Sequence, residues 1–393
     1  MHLVLVENKQ TARQFLDVAR HLYKKDPFWV CPPDAEIEAI FDPSKNVFFT
    51  HGEAARWVLM DNGVLVGRVA AFINRNKAYK GEYPVGGMGF FECIDDKDAA
   101  YTLFSTCQTW LTERGMQGMD GPINFGENDN FWGLLVDGFM PPAYGMPYNP
   151  PYYRRMFEDY GFAVYFEQRT KHLDFRNSFP DRFWKVADWV RQKPGFAYRH
   201  LRKDQIAKFV DDFKQIYDEA WRFHDGFTPI NKNDLLRTFN KSKAIIDEEL
   251  IWFAYHEDVP IGFVVVFPDI NQIIKPFNGK MNLINKLRFL YKFRTHQYNR
   301  ARMVIMGVVP KYQRYGIESA IFWHLNEALK IRTWIKEVEL SWVGDFNPKM
   351  QALQDSVGAV DAKKHITYRC KFTQDASVNR INTIPVSTRD HLS

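Results

Sequence analysis

The sequence predicts an α/β (α+β) protein of two tandem domains, each a mixed, mostly antiparallel sheet flanked by helices. Three observations carry this. The same order of elements occurs twice: strand, helices, hairpin, strand, helix, strand, helix, strand. In each series the last helix stops at a glycine, Gly161 or Gly358, just before a further strand. With 393 residues, 46% of them apolar and 16% aromatic, the chain can fill two cores.

In the first half, residues 3–7 read as a strand. Residues 11–25 read as a helix, with Phe15, Leu16, Val18, Ala19 and Leu22 at helical spacing, and Asp26-Pro27 ends it. Residues 55–60 and 64–73 form a hairpin across Asp61-Asn62-Gly63. Residues 84–94 are a third strand, 98–114 a helix closed by Gly115, and 118–124 another strand. Residues 124–153 read as a long loop rich in glycine, proline and aromatics. A helix over 152–160 and strand-like runs over 163–168 and 170–175 complete the series.

The pattern restarts with a helix at 183–191. A strand follows at 196–201, with helices at 204–223 and 231–247 and a hairpin of 250–255 with 260–267. Residues 271–300 are an insertion. Then comes the run Met303-Val304-Ile305-Met306-Gly307-Val308-Val309, a strand buried on both faces that Pro310 stops. Ile317, Ala320, Ile321, Leu325 and Leu329 then fall on one helical face. A strand at 336–342, a helix at 347–357 and a last strand at 366–371 follow.

The turn between the buried run and its helix is Gln313-Arg314-Tyr315-Gly316-Ile317-Glu318. It offers backbone N–H groups at a helix N-terminus beside cationic side chains, a setting that suits phosphate. It resembles the acyl-CoA signature of the GNAT superfamily of N-acyltransferases, Gln/Arg-x-x-Gly-x-Gly/Ala. The glutamine and first glycine match; Glu318 replaces the second small residue. Asn149-Pro150 and Asn347-Pro348 stand where the family's last helix opens on an asparagine. The resemblance covers nearly the whole chain as two tandem GNAT-like domains, 1–175 and 176–373, followed by a polar tail, 374–393. It implies an N-acyltransferase that uses acetyl-CoA or another acyl-CoA and transfers the acyl group directly to a small-molecule or peptide amine. The phosphates would lie on Gln313, Arg314, Tyr315, Gly316 and Ile317, the thioester arm on N–H groups of Val308 and Val309, with Asn347 as a further contact.

Charge separates the halves. The equivalent turn of the first carries Asp95, Asp96 and Asp98 and no glycine. In the second no acidic residue occurs between Asp269 and Glu318, while ten lysines and arginines do. This basic segment, 275–314, reads as a field that steers a polyanionic cofactor. It reads equally as a surface for a membrane or anionic partner, because Leu283, Leu287, Leu290 and Tyr291 interleave with the charges. In that second reading the protein is a non-catalytic binding module.

The tyrosine that acts as general acid in many family members falls at Gln354 and Phe157 here, and neither can donate a proton as a phenol does. Glu92, Glu127, Asp129, Glu339 and Asp345 are candidate bases. Glu127 is preferred because it sits in a polar cluster between Phe125, Phe131 and Trp132. The acceptor is expected on the 124–153 loop, where it faces the cofactor strand of the other half. Trp132, Tyr144 and Tyr148 would line it, with Asn128 and Asn149 as polar contacts.

Cys31, Cys93, Cys107 and Cys370 show no metal-ligand spacing and no disulfide framework. The N-terminus lacks the pattern of a signal peptide, and no run approaches the ~20 apolar residues of a membrane span. A cytoplasmic protein is therefore expected. The net charge of +5 is too small to argue for nucleic acid.

Overall fold

A computed structural model of the chain describes all residues except 127–129, 175, 177–179, 223–228, 314, 374–377 and 385–393. It divides into two compact units. The first comprises Met1–Arg169, Asn271–Tyr291 and Lys363–Asn382; the second comprises Thr170–Ile270, Lys292–Ala362 and Thr383–Ser393.

The first unit opens with β1 (His2–Leu5), α1 (Lys9–Leu22) and α2 (Asp34–Ile40). α1 starts where the Asn8 side chain accepts the Thr11 N–H at 3.0 Å and Thr11 answers to the Asn8 N–H at 3.2 Å, a reciprocal cap. The hairpin of β2 (Gly52–Asp61) and β3 (Val64–Asn74) turns on Asn62 and Gly63, both with positive φ (47° and 82°), which matches strand twist. α3 (Arg75–Ala78), β4 (Val85–Cys93), α4 (Lys97–Thr112) and β5 (Gly118–Gly121) follow. The expected 124–153 loop contains a short strand, β6 (Leu134–Asp137), too brief for a periodic signal. α5 (Tyr153–Tyr160) ends at Gly161 with φ 110°, and β7 (Ala163–Asp174) is one strand where the sequence suggested two. β3 is buried on both faces. A large cluster built on Leu103, Phe104 and Phe157 covers one, and a smaller cluster of Phe15, Ile37 and Val58 covers the other.

The second unit contains α6 (Asp181–Arg191), β8 (Phe196–His200), α7 (Ile206–Trp221), α8 (Lys232–Ser242), β9 (Ile251–His256) and β10 (Val259–Pro268). Next along the chain are α9 (Asn271–Ile274) and α10 (Leu283–Arg294). The second unit resumes with β11 (Arg300–Val308), α11 (Ile317–Ile331), β12 (Glu337–Glu339), β13 (Val343–Gly344) and α12 (Pro348–Ser356); β14 (Val360–Lys371) is the last strand. The helices over 206–221 and 232–242 are shorter than their apolar spacing suggested.

The unit boundary falls inside β7, inside α10 after Tyr291, and again inside β14. In the first unit the strand order is β1-β2-β3-β4-β5-β14, with Tyr368 to Lys371 antiparallel to Gly121 to Gly118. In the second it is β7-β12-β11-β10-β9-β8, where β7 contributes His172 to Asp174. The sequence reading placed 271–291 and 363–371 in the second half. Both belong to the first unit, because their partners lie there: Asn271 Nδ2 donates to the Pro142 carbonyl at 2.9 Å, and Arg369 Nε to Asp120 at 2.6 Å. The pairing is mixed in each unit: β4–β5 and β11–β12 are parallel, and the neighbouring pairs are antiparallel.

Candidate functional site

Both units repeat one irregularity. β4 carries an extra residue against β3 between Gly89 and Glu92, and β11 carries one against β10 between Met303 and Ile305. Both parallel pairs then part. β5 follows β4 only from Val85 to Gly87, and β12 follows β11 only from Arg300 to Arg302. β4 and β11 thus each run on past their parallel partner.

In β11 one edge faces away from β10. The Val309 N–H donates to the Ile261 carbonyl at 2.9 Å. Antiparallel pairing alternates, so Gly307 also addresses β10 while the N–H groups of Met306 and Val308 point to the open side. The Val308 N–H thus faces the open side. Val309 is a correction, because its N–H is committed to β10.

β11 leads into the turn at 310–316. Gln313 braces it: its Nε2 donates to the Val308 carbonyl at 3.1 Å, and its Oε1 lies 3.5 Å from Lys349 Nζ on α12. Tyr312 Oη is 3.0 Å from His256 Nδ1. Tyr315 is exposed, and Arg314 lies outside the described residues. Gly316 has φ 78° and caps α11 without a side chain. A Cβ on it would stand 2.9 Å from both Val186 and Val190 of α6, so only glycine fits the turn unstrained. Ile317 is in the core and can offer a ligand only its backbone. Asn347 caps α12 through the Met350 N–H at 3.2 Å. Glu318 is half-buried. Desolvation raises its carboxyl above the usual range, against the pull of its own backbone N–H and of Lys349. Lys349 is the residue that sequence reasoning missed: it is distant in sequence and carries no motif.

Two basic residues counted toward a cofactor field are not available to it. Arg300 is buried and paired with Asp269 at 2.6 Å and with Glu339 at 3.8 Å, and Arg302 is buried as well. Glu339 is thus the partner of a buried cation. Gln354 occupies the expected tyrosine position and donates to the Ser341 carbonyl at 3.0 Å.

The first unit fills the equivalent places. The Asp96 side chain accepts the Ala99 N–H at 2.8 Å and so caps α4. The Ile123 backbone presses on Gly89, where a Cβ would meet its carbonyl oxygen at 1.9 Å. Tyr153 accepts the Cys93 N–H at 2.7 Å on the open edge of β4. Phe157, reached by counting back from Gly161, lies in the aromatic core, one helical turn beyond Tyr153. Glu92 is buried beneath Tyr23 (2.7 Å) and Tyr153 (2.9 Å), with Arg68 at 3.4 Å; burial raises its carboxyl, and Arg68 and the phenols oppose that.

Of the expected acceptor contacts, Glu127, Asn128 and the neighbouring Asp129 lie outside the described residues. Trp132 is buried against His365, with ring centroids 6.1 Å apart. Tyr144 donates to Glu36, and Tyr148 to Asp26 at 2.8 Å. Asn149 brackets Leu135, accepting its N–H at 2.8 Å and donating to its carbonyl at 3.0 Å. All four are tied into the first unit. The four cysteines are unpaired and buried. Among the described residues no helix is long and apolar enough to cross a membrane.

No protein-family model matches the chain. Protein YghO of Escherichia coli (strain K12) is 27% identical over 371 residues, 92% of this chain and 93% of that protein. A protein of Caulobacter vibrioides named bacterial ceramide synthase is 26% identical over 374 residues, 94% of this chain and 97% of its own. Among solved structures, a tandem GNAT protein from the clavulanic acid biosynthesis pathway superposes with a TM-score of 0.56 at 11% identity, over 94% of this chain and 98% of that one. By this likeness the chain has the fold of tandem GNAT proteins.

Proposed function

We propose that the protein is an acyl-CoA-dependent N-acyltransferase whose acceptor is a long-chain amino alcohol. One observation carries the reading. The open edge of β11 runs directly into a helix that glycine alone caps, beside Lys349, while the same place in the first unit is closed by Asp96, Ile123 and Tyr153. The residues present fit a CoA: a polyanion meets backbone N–H groups and a lysine, and its extended arm meets a strand edge. Acyl-CoA supplies an activated carbonyl; the amine forms the amide C–N bond, the C–S bond breaks, and the thiol leaves with a proton. Met306 and Val308 N–H groups hold the thioester carbonyl oxygen, where negative charge develops. α12 carries no tyrosine, so that helix offers no phenol to protonate the leaving thiolate.

The acceptor class is supported by likeness to the protein named ceramide synthase along almost its whole length. A ceramide is the amide of a long-chain amino alcohol, and its acyl group favours a thioester longer than acetyl. The test is incubation of the pure protein with sphinganine and acyl-CoAs of two to eighteen carbons, read by mass spectrometry, together with calorimetry of each thioester. An N-acyl product whose formation falls on Gln313→Ala and Lys349→Glu supports the reading. Failure of every thioester to bind overturns it. Binding and turnover with short polar amines alone would keep the acyltransferase and reject the acceptor.

A further inference from the structure

α10 turns its apolar side chains outward. Leu283, Ile284, Leu287, Leu290 and Tyr291 are between 38% and 73% exposed. At about 100° of rotation per residue, these five fall within an arc of roughly 120°. Phe289, the buried residue of the helix, lies on the opposite side. Lys286 borders the arc on one flank and Arg288 on the other, each about 40° beyond its edge, and Arg294 falls within the arc one turn past Leu290. α10 itself carries no carboxylate, since no acidic residue occurs between Asp269 and Glu318.

This is not the exposure of a frayed segment. The chain before α10 is pinned: Asn271 donates to Pro142 at 2.9 Å, the Asp34 N–H to the Gly279 carbonyl at 2.9 Å, and Arg20 Nη2 to the Asn278 carbonyl at 3.1 Å. Ile273, Ile274 and Phe277 are buried. Asn282 caps the helix through the Asn285 N–H at 2.9 Å. A firmly held helix presents a contiguous apolar stripe with cations along both flanks, and such patches mark interaction sites.

We propose that α10 docks the protein on the surface of an anionic lipid bilayer. The stripe from Leu283 to Tyr291 enters the boundary of the acyl region, and Lys286, Arg288 and Arg294 meet headgroup phosphates. Charge selects this occupant. A second copy packed stripe to stripe about a twofold axis would bring the same cations face to face, whereas an anionic surface complements every flank. The inference stands apart from acyl transfer, because docking is read with neither thioester nor amine present.

The experiment sediments the full chain with vesicles of phosphatidylcholine alone or with one third phosphatidylglycerol. Binding to the anionic vesicles is expected, at least ~10-fold stronger than to phosphatidylcholine and weakened by salt. Leu283→Asp with Leu287→Asp should abolish it, and Lys286→Glu with Arg288→Glu should weaken it ~10-fold or more. All four positions are exposed, so an unchanged melting temperature certifies the fold of both variants. Absence of binding to either vesicle, or equal binding by the wild type and both variants, overturns the proposal. So does a wild-type dimer that ignores vesicles and that the double leucine variant converts to monomer, which would assign the stripe to a second copy.

Discussion

The Tyr153 hydroxyl accepts the Cys93 N–H at 2.7 Å where β4 parts from β5, whereas on α12 Gln354 reaches Ser341 instead of the open edge of β11. That contrast separates the two units. In the first, the strand edge is closed by a phenol whose own proton goes to buried Glu92 at 2.9 Å. Tyr153→Phe keeps the ring and removes both bonds. Each buried group left unsatisfied costs about 1–3 kcal/mol, so urea unfolding should show a loss of about 2–4 kcal/mol. Acyl-CoA affinity should stay within about twofold of wild type, because the cofactor reading uses the other unit. A tenfold loss of affinity with intact stability would move the cofactor to the first unit.

The turn at 313–316 calls for a different choice of variant. Gly316→Ala adds a Cβ at φ 78°, 2.9 Å from Val186 and Val190. It should cost about 1–2 kcal/mol of stability, so any loss of affinity it causes is mixed with strain. Lys349→Glu leaves the turn's backbone alone and reverses the charge beside Gln313. Calorimetry should show acyl-CoA binding weakened by about tenfold or more at low salt, and less so at high salt. Equal affinity in both buffers would remove Lys349 from the site.

Local features were legible in the sequence. Asn62-Gly63 specifies its hairpin, and the β-branched run before Pro310 and the glycine at 316 specify a strand, turn and helix, because each signal acts over a few residues. Partners distant in sequence were not legible. Residues 363–371 complete the first unit's sheet beside β5, about 250 residues back, and periodicity says nothing about which sheet a strand will join. The charge count at 275–314 misread Arg300 and Arg302 for the same reason, since burial beside Asp269 is a tertiary fact. Counting back from Gly161 reached Phe157 and passed over Tyr153, one helical turn away, because only the packed structure shows which of the two meets the β4 edge.

His365 gives the first unit an acid-sensitive point. It is fully buried beside Trp132, with Nε2 3.4 Å from the Pro147 carbonyl. Burial pushes its imidazole down to about 3, helped by Lys363 and opposed by that carbonyl. The unfolded chain binds the proton more readily than the fold does. Stability is therefore full above 6.5 and is lost as pH falls from 6.5 toward 3, by up to about 5 kcal/mol. Urea midpoints measured between pH 7 and 4 should fall more steeply for wild type than for His365→Gln. Parallel curves would show that the imidazole takes up its proton alike in the folded and unfolded chain.

Glu318 decides how well the turn suits a phosphate. Its carboxyl is held above the usual range, first by desolvation, and Lys349 is the cation that opposes this. The fold therefore disfavours the charged form. That cost is complete above the folded value and fades as pH falls to 4.5, where the unfolded carboxyl also takes up its proton. Glu318→Gln should accordingly melt higher than wild type at pH 7, with the gain vanishing below about pH 4.5. The same change withdraws a negative charge from Lys349 and from the helix start. Acyl-CoA affinity at pH 7 should rise by about threefold to tenfold, because the lysine then serves the phosphates alone. A higher melting temperature without tighter binding would place the carboxylate outside the phosphate site. Tighter binding that persists in the double variant with Lys349→Ala would assign the gain to the backbone N–H groups of α11.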